Sequence, residues 1–220
     1  MEVRAQQIRK EYYRRGTDSN IFTAVEECDF LIPPGELTLI HGRSGSGKST
    51  LLNMLAGILK PTGGHVFYDD TDIGLMSDGE LARFRNLHIG YVPQGRSAVP
   101  SLNVLENVVL PFALYEEDGE EAAALMMERF GIADLGEVMP DRLSGGELRR
   151  MAIARALVRQ PEVVFADEPT GDLDDENTAA VFGALRELTK TGTAVLVVTH
   201  EEDAFEYADR IYTMNAGRLE

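Results

Sequence analysis

Gly42-Arg43-Ser44-Gly45-Ser46-Gly47-Lys48-Ser49 sets glycines around two serines and ends in a lysine and a hydroxyl. The pattern, a glycine, four residues, then Gly-Lys-Ser, suits a polyphosphate. Backbone N–H groups must wrap phosphates closely, and side chains at Gly42, Gly45 and Gly47 would block that approach. Lys48 supplies a point charge for the β and γ phosphates, and the Ser49 hydroxyl can ligate Mg²⁺. A second run, Val163-Val164-Phe165-Ala166-Asp167-Glu168, ends an apolar stretch in paired carboxylates. A strand carrying Asp167 to its C-terminal edge puts it beside the phosphate loop, where ligands bind in such sheets. Asp167 is then placed to hold Mg²⁺ through water, and Glu168 to orient or deprotonate an attacking water. Together the two runs point to hydrolysis of a nucleotide.

Such a loop works only between a strand and a helix. Leu37–His41 is a short apolar run that reads as a buried strand. Residues 48–59 read as the helix, its positive end facing the anion, with Pro61 and Gly63-Gly64 ending it. Val66-Phe67-Tyr68 is a short strand turned by Asp69-Asp70, and Ser77 with Glu80 has the spacing of a capping box. The helix through Arg83 and Phe84 gives way to a strand over 88–92. From 95 to about 159 apolar residues recur at helical spacing, in 104–110 and 122–127, which reads as a helical insert. Its acidic stretch 116–121 reads as a solvated loop and helix start, and Met126 and Met127 as core filler. Then come a strand at 163–166, a helix at 176–190, a strand at Ala194–Thr199, and a hairpin from Arg210 that turns at Asn215-Ala216-Gly217. This alternation suggests an α/β fold with a mostly parallel sheet.

A third motif narrows the class. Leu143-Ser144-Gly145-Gly146-Glu147 precedes a helix rich in Arg149, Arg150 and Arg155. A serine and two glycines at a helix start form a second anion site without a lysine. In this order before Asp167, the motif resembles the signature of the ABC ATPases, and the resemblance covers essentially the whole chain. Gln94, in Gly90-Tyr91-Val92-Pro93-Gln94, matches that family's glutamine loop. Gly171-Asp172-Leu173-Asp174 follows the carboxylates as the D-loop does, and His200, in Val198-Thr199-His200-Glu201, matches the switch histidine. Lys10-Glu11-Tyr12 resembles the segment whose aromatic ring stacks on adenine; Tyr13 is adjacent, and Tyr12 is favoured.

The resemblance implies a P-loop NTPase of ABC type. Its mostly parallel nucleotide-binding core, with an N-terminal antiparallel β subdomain, would span 1–94 and 160–220, and an inserted helical subdomain carrying the signature would span 95–159. ATP and Mg²⁺ are the implied ligands. Tyr12, Gly42, Arg43, Ser44, Gly45, Ser46, Gly47, Lys48, Ser49 and Thr50 would contact the nucleotide from one subunit. Ser144, Gly145, Gly146 and Glu147 would reach it from a second copy paired head to tail, with Asp174 linking the two sites. Ser49, Gln94 and Asp167 would hold the metal; Glu168, His200, Gln94 and Lys48 would serve catalysis. Some positions depart from the family pattern: Glu147, Leu148 and Arg149 stand where glutamines are common, Arg43 where Pro is frequent, and Pro93 where an aromatic is more usual. None of these departures removes a catalytic group.

Asp167-Glu168-Pro169-Thr170-Gly171-Asp172-Leu173-Asp174 is close to the pattern of the lipoprotein-release, macrolide-export and cell-division ATPases, as is the segment from Ser77 to Asn86. A separate membrane permease is implied, with transport of the export or extraction type. The alternative is a non-transporting ATPase that regulates a membrane-bound cell-division or cell-wall complex.

The 220 residues carry 21 Lys and Arg against 37 Asp and Glu, a formal net charge of −16. Duplex nucleic acid needs a basic face, so nucleic-acid partners are not expected. The DNA-repair ATPases of related fold also need a long coiled-coil or zinc insertion. A small-molecule kinase would use the phosphate loop but leaves residues 143–147 and His200 unexplained. The one cysteine, Cys28, reads as a small buried strand residue. The start of the chain is no signal peptide, and no apolar run approaches the ~18 residues of a membrane span. The expected location is the cytoplasm, peripheral on the inner face of the membrane through the permease.

Overall fold

The computed structural model describes residues 1–13, 21–95, 97–171, 173 and 175–220. In chain order the strands and helices are β1 (Val3–Tyr13), β2 (Ile21–Ile32), β3 (Leu37–His41), α1 (Lys48–Leu55), β4 (Gly63–Tyr68), β5 (Thr71–Asp72), α2 (Asp78–His88) and β6 (Ile89–Val92). There follow α3 (Val104–Ala113), α4 (Glu120–Arg129), α5 (Gly145–Leu157), β7 (Val163–Asp167), α6 (Asp175–Thr189), β8 (Ala194–Thr199), β9 (Arg210–Asn215) and β10 (Arg218–Leu219).

The strands form two sheets. A four-stranded antiparallel sheet runs β2-β1-β4-β5, and a six-stranded sheet runs β10-β9-β3-β8-β7-β6. In the second, β3, β6, β7, β8 and β9 are parallel, and β10 returns against β9. The central strands β7 and β8 are buried at every residue, as strands covered on both faces must be. Alternation divides their side chains. Val164, Ala166, Val195 and Val197 pack with Val108, Met151, Ile153 and Phe182 from the helices. Val163, Phe165, Leu196 and Val198 pack with Leu51, Leu52 and Leu55 of α1 and with Ile8, Val25 and Val66 of the antiparallel sheet. Both phosphate-site strands are thereby clamped from either side.

The Phe165 ring is wholly buried in the second of these clusters. Phe165→Ala should cost about 3–5 kcal/mol of stability, from lost transfer energy and the cavity left behind. Urea unfolding followed by circular dichroism reads this directly; a loss below about 1 kcal/mol would mean the layer refills the hole.

Several elements differ from the sequence reading. Helix α1 stops at Leu55, not near residue 59. Gly57 takes a left-handed φ of 65°, and the N–H groups of Ile58 and Leu59 donate back to the Asn53 carbonyl, so a glycine C-cap ends the helix before Pro61 acts. The acidic stretch is only partly solvated. Glu120 and Glu121 lie in the first turn of α4, but the Glu117 carboxylate accepts hydrogen bonds from Arg83, at 2.7 Å, and from Arg159. Cys28 is half-buried on β2, and burial with the nearby Asp29 charge pushes its thiol up to about 11.

Other expectations hold. Met126 and Met127 are buried among the helices, and the Ser77–Glu80 capping box forms. The final hairpin turns where expected, through Ala216 and Gly217 at φ 47° and 88°, the positive angles a two-residue hairpin turn needs. Among the described residues no strand lies between β6 and β7.

Candidate functional site

The loop after β3 enters α1 through Gly47, the N-cap, at φ 109° and without a side-chain cap. The first-turn amides of α1 therefore have no acceptor from the cap, which leaves them for an anion. Two of the glycines are also required by the protein itself. A Cβ on Gly42 would lie 2.3 Å from the Met214 carbonyl oxygen, and one on Gly47 2.4 Å from that of Ala24. Gly45 meets nothing within 4 Å but has φ 78°, so its need is conformational. Arg43 and Ser44 are exposed, whereas Ser46 is buried and its hydroxyl has no hydrogen-bond partner among the described residues. A buried orphan hydroxyl in a phosphate-binding loop is what a missing anionic partner leaves behind.

Lys48 is buried, with Nζ donating to the carbonyls of Gly42 at 2.6 Å and Arg43 at 3.2 Å. The same ammonium is 3.8 Å from Oε1 of Glu168. One residue on, Ser49 Oγ donates to Asp167 Oδ1 at 3.0 Å. Burial pushes the Asp167 carboxyl above its ordinary range, with the Ser49 hydrogen bond working against the shift. These two oxygens suit Mg²⁺, which takes few protein ligands and keeps its remaining sites for water and phosphate.

Glu168 is 9% exposed and left-handed, with φ 46°. Its Oε2 accepts from Thr199 Oγ1 at 3.1 Å, from the His200 amide at 3.3 Å, and from His200 Nδ1 at 2.9 Å. The imidazole thus donates from Nδ1, a tautomer assigned from this contact. Thr199 and His200 sit at the end of β8, beside β7, so one sheet edge presents Asp167, Glu168 and His200 to the phosphate loop. Gln94 is exposed just beyond β6, the next strand along, at the same edge.

Other sequence-selected residues lie apart. Ser144 is the N-cap of α5 and forms a capping box with Glu147: Ser144 N and Oγ both donate to Glu147 Oε2 at 2.7 Å. Those bonds hold the Glu147 carboxyl below its usual range. Ser144 and Gly145 are exposed, and Gly146 faces Arg150 and Asn177. Among the described residues no hydrogen bond or ion pair joins residues 144–147 to residues 42–50. Tyr12 lies on β1, 40% exposed, with the Lys10 ammonium 5.2 Å from its ring centre; Tyr13 is more exposed, at 82%. Asp174 lies outside the described residues.

The sequence reading missed two side chains in the site. Thr199 is fully buried and ties Glu168 Oε2 to the Glu201 amide through its own Oγ1. Arg149 is also buried, its guanidinium donating to the carbonyls of Pro169 at 2.5 Å, Glu168 at 2.6 Å and Pro93 at 2.7 Å. Arg149 lies three and four positions before the buried Ala152 and Ile153, but most of α5 is buried, so helical period alone does not mark it. A groove of about 760 Å³ lies elsewhere, at the N-terminal ends of β7 and β8 between Met1, Arg129, Pro161 and Glu187. It contains none of these groups.

The comparisons with known proteins agree with this geometry. The ABC transporter family model matches residues 25–171. The lipoprotein-releasing system ATP-binding protein LolD of Idiomarina loihiensis is 38% identical over 221 residues, covering 99% of this chain and 96% of that protein. LolD of Hydrogenovibrio crunogenus is 40% identical over 222 residues, covering 99% and 95%. Among solved structures, the dimeric post-hydrolysis state of the ATP-binding cassette MJ0796, bound to ADP and Pi, is similar at a TM-score of 0.90 and 33% identity, covering 99% of this chain and 97% of that one. Together with the two-sheet α/β architecture, these matches place the chain in the ABC transporter family as an ATP-binding, ATP-hydrolysing subunit.

Proposed function

We propose that two copies of this chain pair head to tail and bind two MgATP at their interface, driving a separate membrane permease of the export or extraction type. The observation that carries this reading is the division of the polar groups. Lys48, Ser49, Asp167, Glu168 and His200 converge at one sheet edge, while Ser144 and Gly145 stand exposed at the start of α5, the Ser144 hydroxyl held by Glu147. A second copy would bring that serine and glycine pair to the phosphates.

The residues divide the work. Lys48 exchanges the carbonyls of Gly42 and Arg43 for phosphate oxygens, and the amides of the loop and of α1 take the rest. Ser46 gives its unpartnered hydroxyl to the same anion. Mg²⁺, held by Ser49 and Asp167 with Gln94, would neutralise charge on the β and γ phosphates. Glu168 orients the attacking water and draws off its proton, while Thr199 and His200 aim the carboxylate. His200, its side chain largely exposed, can swing to the γ-phosphate. Tyr12 offers a ring for adenine, and Asp174 would link the paired sites. The division of labour also supports a core over 1–94 and 160–220 with a helical subdomain over 95–159.

Among the described residues no helix is long and apolar enough to cross a membrane. Attachment to the inner membrane face through permease partners fits that fact, and the lipoprotein-releasing names of the relatives favour extraction over import. Nucleic acid is not an expected partner of so acidic a chain.

Ser144→Arg tests the shared site. The isolated subunit should bind ATP nearly as before, because its own phosphate loop is intact, yet hydrolysis should be abolished. Mixing it with Lys48→Ala protein should restore some turnover through one complete site per mixed pair. Loss of ATP binding by Ser144→Arg monomers, read by titration calorimetry, would place Ser144 within its own subunit's site instead.

A further inference from the structure

Arg149 is an expensive residue to bury. It is 6% exposed, and among the described residues no carboxylate oxygen lies within ion-pair distance of it. Burial draws its pKa down, while the charges of Asp167 and Glu168 hold it up. An apolar side chain of similar volume fills such a space at lower cost. Its donors instead follow a definite plan. Nε and Nη2 grip the turn after β7, through the carbonyls of Pro169 and Glu168 and, at 3.4 Å, Asp167. Nη1 grips both sides of Gln94, through Pro93 at 2.7 Å and Gly95 at 3.4 Å. The side chain itself belongs to α5, the helix that Ser144 caps.

The geometry points to Arg149 as a positioning residue: we propose that its guanidinium locks the Gln94 loop, the Glu168 turn and the Ser144 helix into one unit, so that displacement of one is passed to the others. The planar fork has donors on two edges and can span two chain segments at once. It also accounts for the backbone of Glu168. A non-glycine residue at φ 46° is strained and persists only where its surroundings over-determine it. Three successive carbonyls turned onto a single cation fix the peptide planes on both sides of that residue.

The consequence for activity rests on the reading of Glu168 and Gln94 given above, but the mechanical coupling does not. Arg149→Lys keeps the charge and loses the fork, since an ammonium is a compact point that cannot bridge both segments. Arg149→Met keeps the length of the side chain, removes every donor, and serves if the lysine variant is unstable. For either folded variant, KM for ATP should stay near the parent value while kcat falls roughly 10²-fold, the cost of a misplaced catalytic group. Amide hydrogen exchange is the readout that packing alone would not move. Without nucleotide, Gln94 and Gly95 should exchange faster together with Glu168 and Thr170, while β3 exchanges as in the parent. With ATP, the parent should protect both segments, and the variants only the one nearer Lys48. Unchanged exchange in both segments, with kcat close to the parent, would overturn the proposal. If ATP fails to protect the Lys48 loop even in the parent, the nucleotide reading fails, and the nucleotide-free exchange still decides the coupling.

Discussion

Lys48→Ala should lower ATP affinity and hydrolysis together. The ammonium is buried against the loop it serves, 2.6 Å from the Gly42 carbonyl, and needs only to exchange acceptors to meet a phosphate. A charged hydrogen bond is worth about 1.5–3 kcal/mol, so affinity should fall roughly 10- to 150-fold. A second effect adds to the first. The Lys48 ammonium is 3.8 Å from Glu168 Oε1, and Asp167 stands one residue away from Glu168. Without it a polyanion must enter beside two carboxylates with less compensation, which weakens binding further. Turnover should drop by more than affinity, because the lost charge also faces the γ-phosphate in the transition state. Calorimetric titration with ATP and a phosphate-release assay check both parts. Affinity and turnover at parent levels would exclude residues 42–49 as the nucleotide site.

Much of the arrangement was legible in the sequence because it is carried by local signals. Ala194–Val198 is an unbroken apolar run and Leu37–Ile40 is apolar but for Thr38, and near-continuous apolar runs are what strands buried on both faces require. The phosphate loop declares itself by spacing, and Ser77 with Glu80 by capping chemistry. What was not legible depends on long-range partners. Glu117 looked solvated because its arginines lie 34 and 42 positions away. Arg149 passed as a harmless substitution because its acceptors are backbone carbonyls, which leave no trace in residue type. The end of α1 was misplaced because proline is the louder signal, although Gly57 acts first. Gly42 and Gly47 were assigned to the ligand alone, whereas contacts with Met214 and Ala24 forbid a side chain there in any case.

Glu168→Gln should separate chemistry from assembly. The amide keeps the shape of the side chain and an oxygen that can accept from Thr199, but it lacks the basicity needed to handle water. General-base function is worth roughly 10²–10⁴ in rate, and turnover should fall by that factor while ATP still binds. With hydrolysis blocked, ATP held between two copies acts as an adhesive, and the closed pair should accumulate in proportion to protein and ATP concentration. Each copy carries a formal −16, so long-range repulsion opposes pairing most at low salt, where screening is weak. The most direct measurement is the mass of Glu168→Gln protein by light scattering coupled to size exclusion, with and without saturating ATP at moderate ionic strength, and phosphate release followed in parallel. A shared site requires one subunit's mass without nucleotide and two with ATP, with phosphate release suppressed. Protein that binds ATP, releases no phosphate and keeps the mass of a single subunit at high concentration would contradict it.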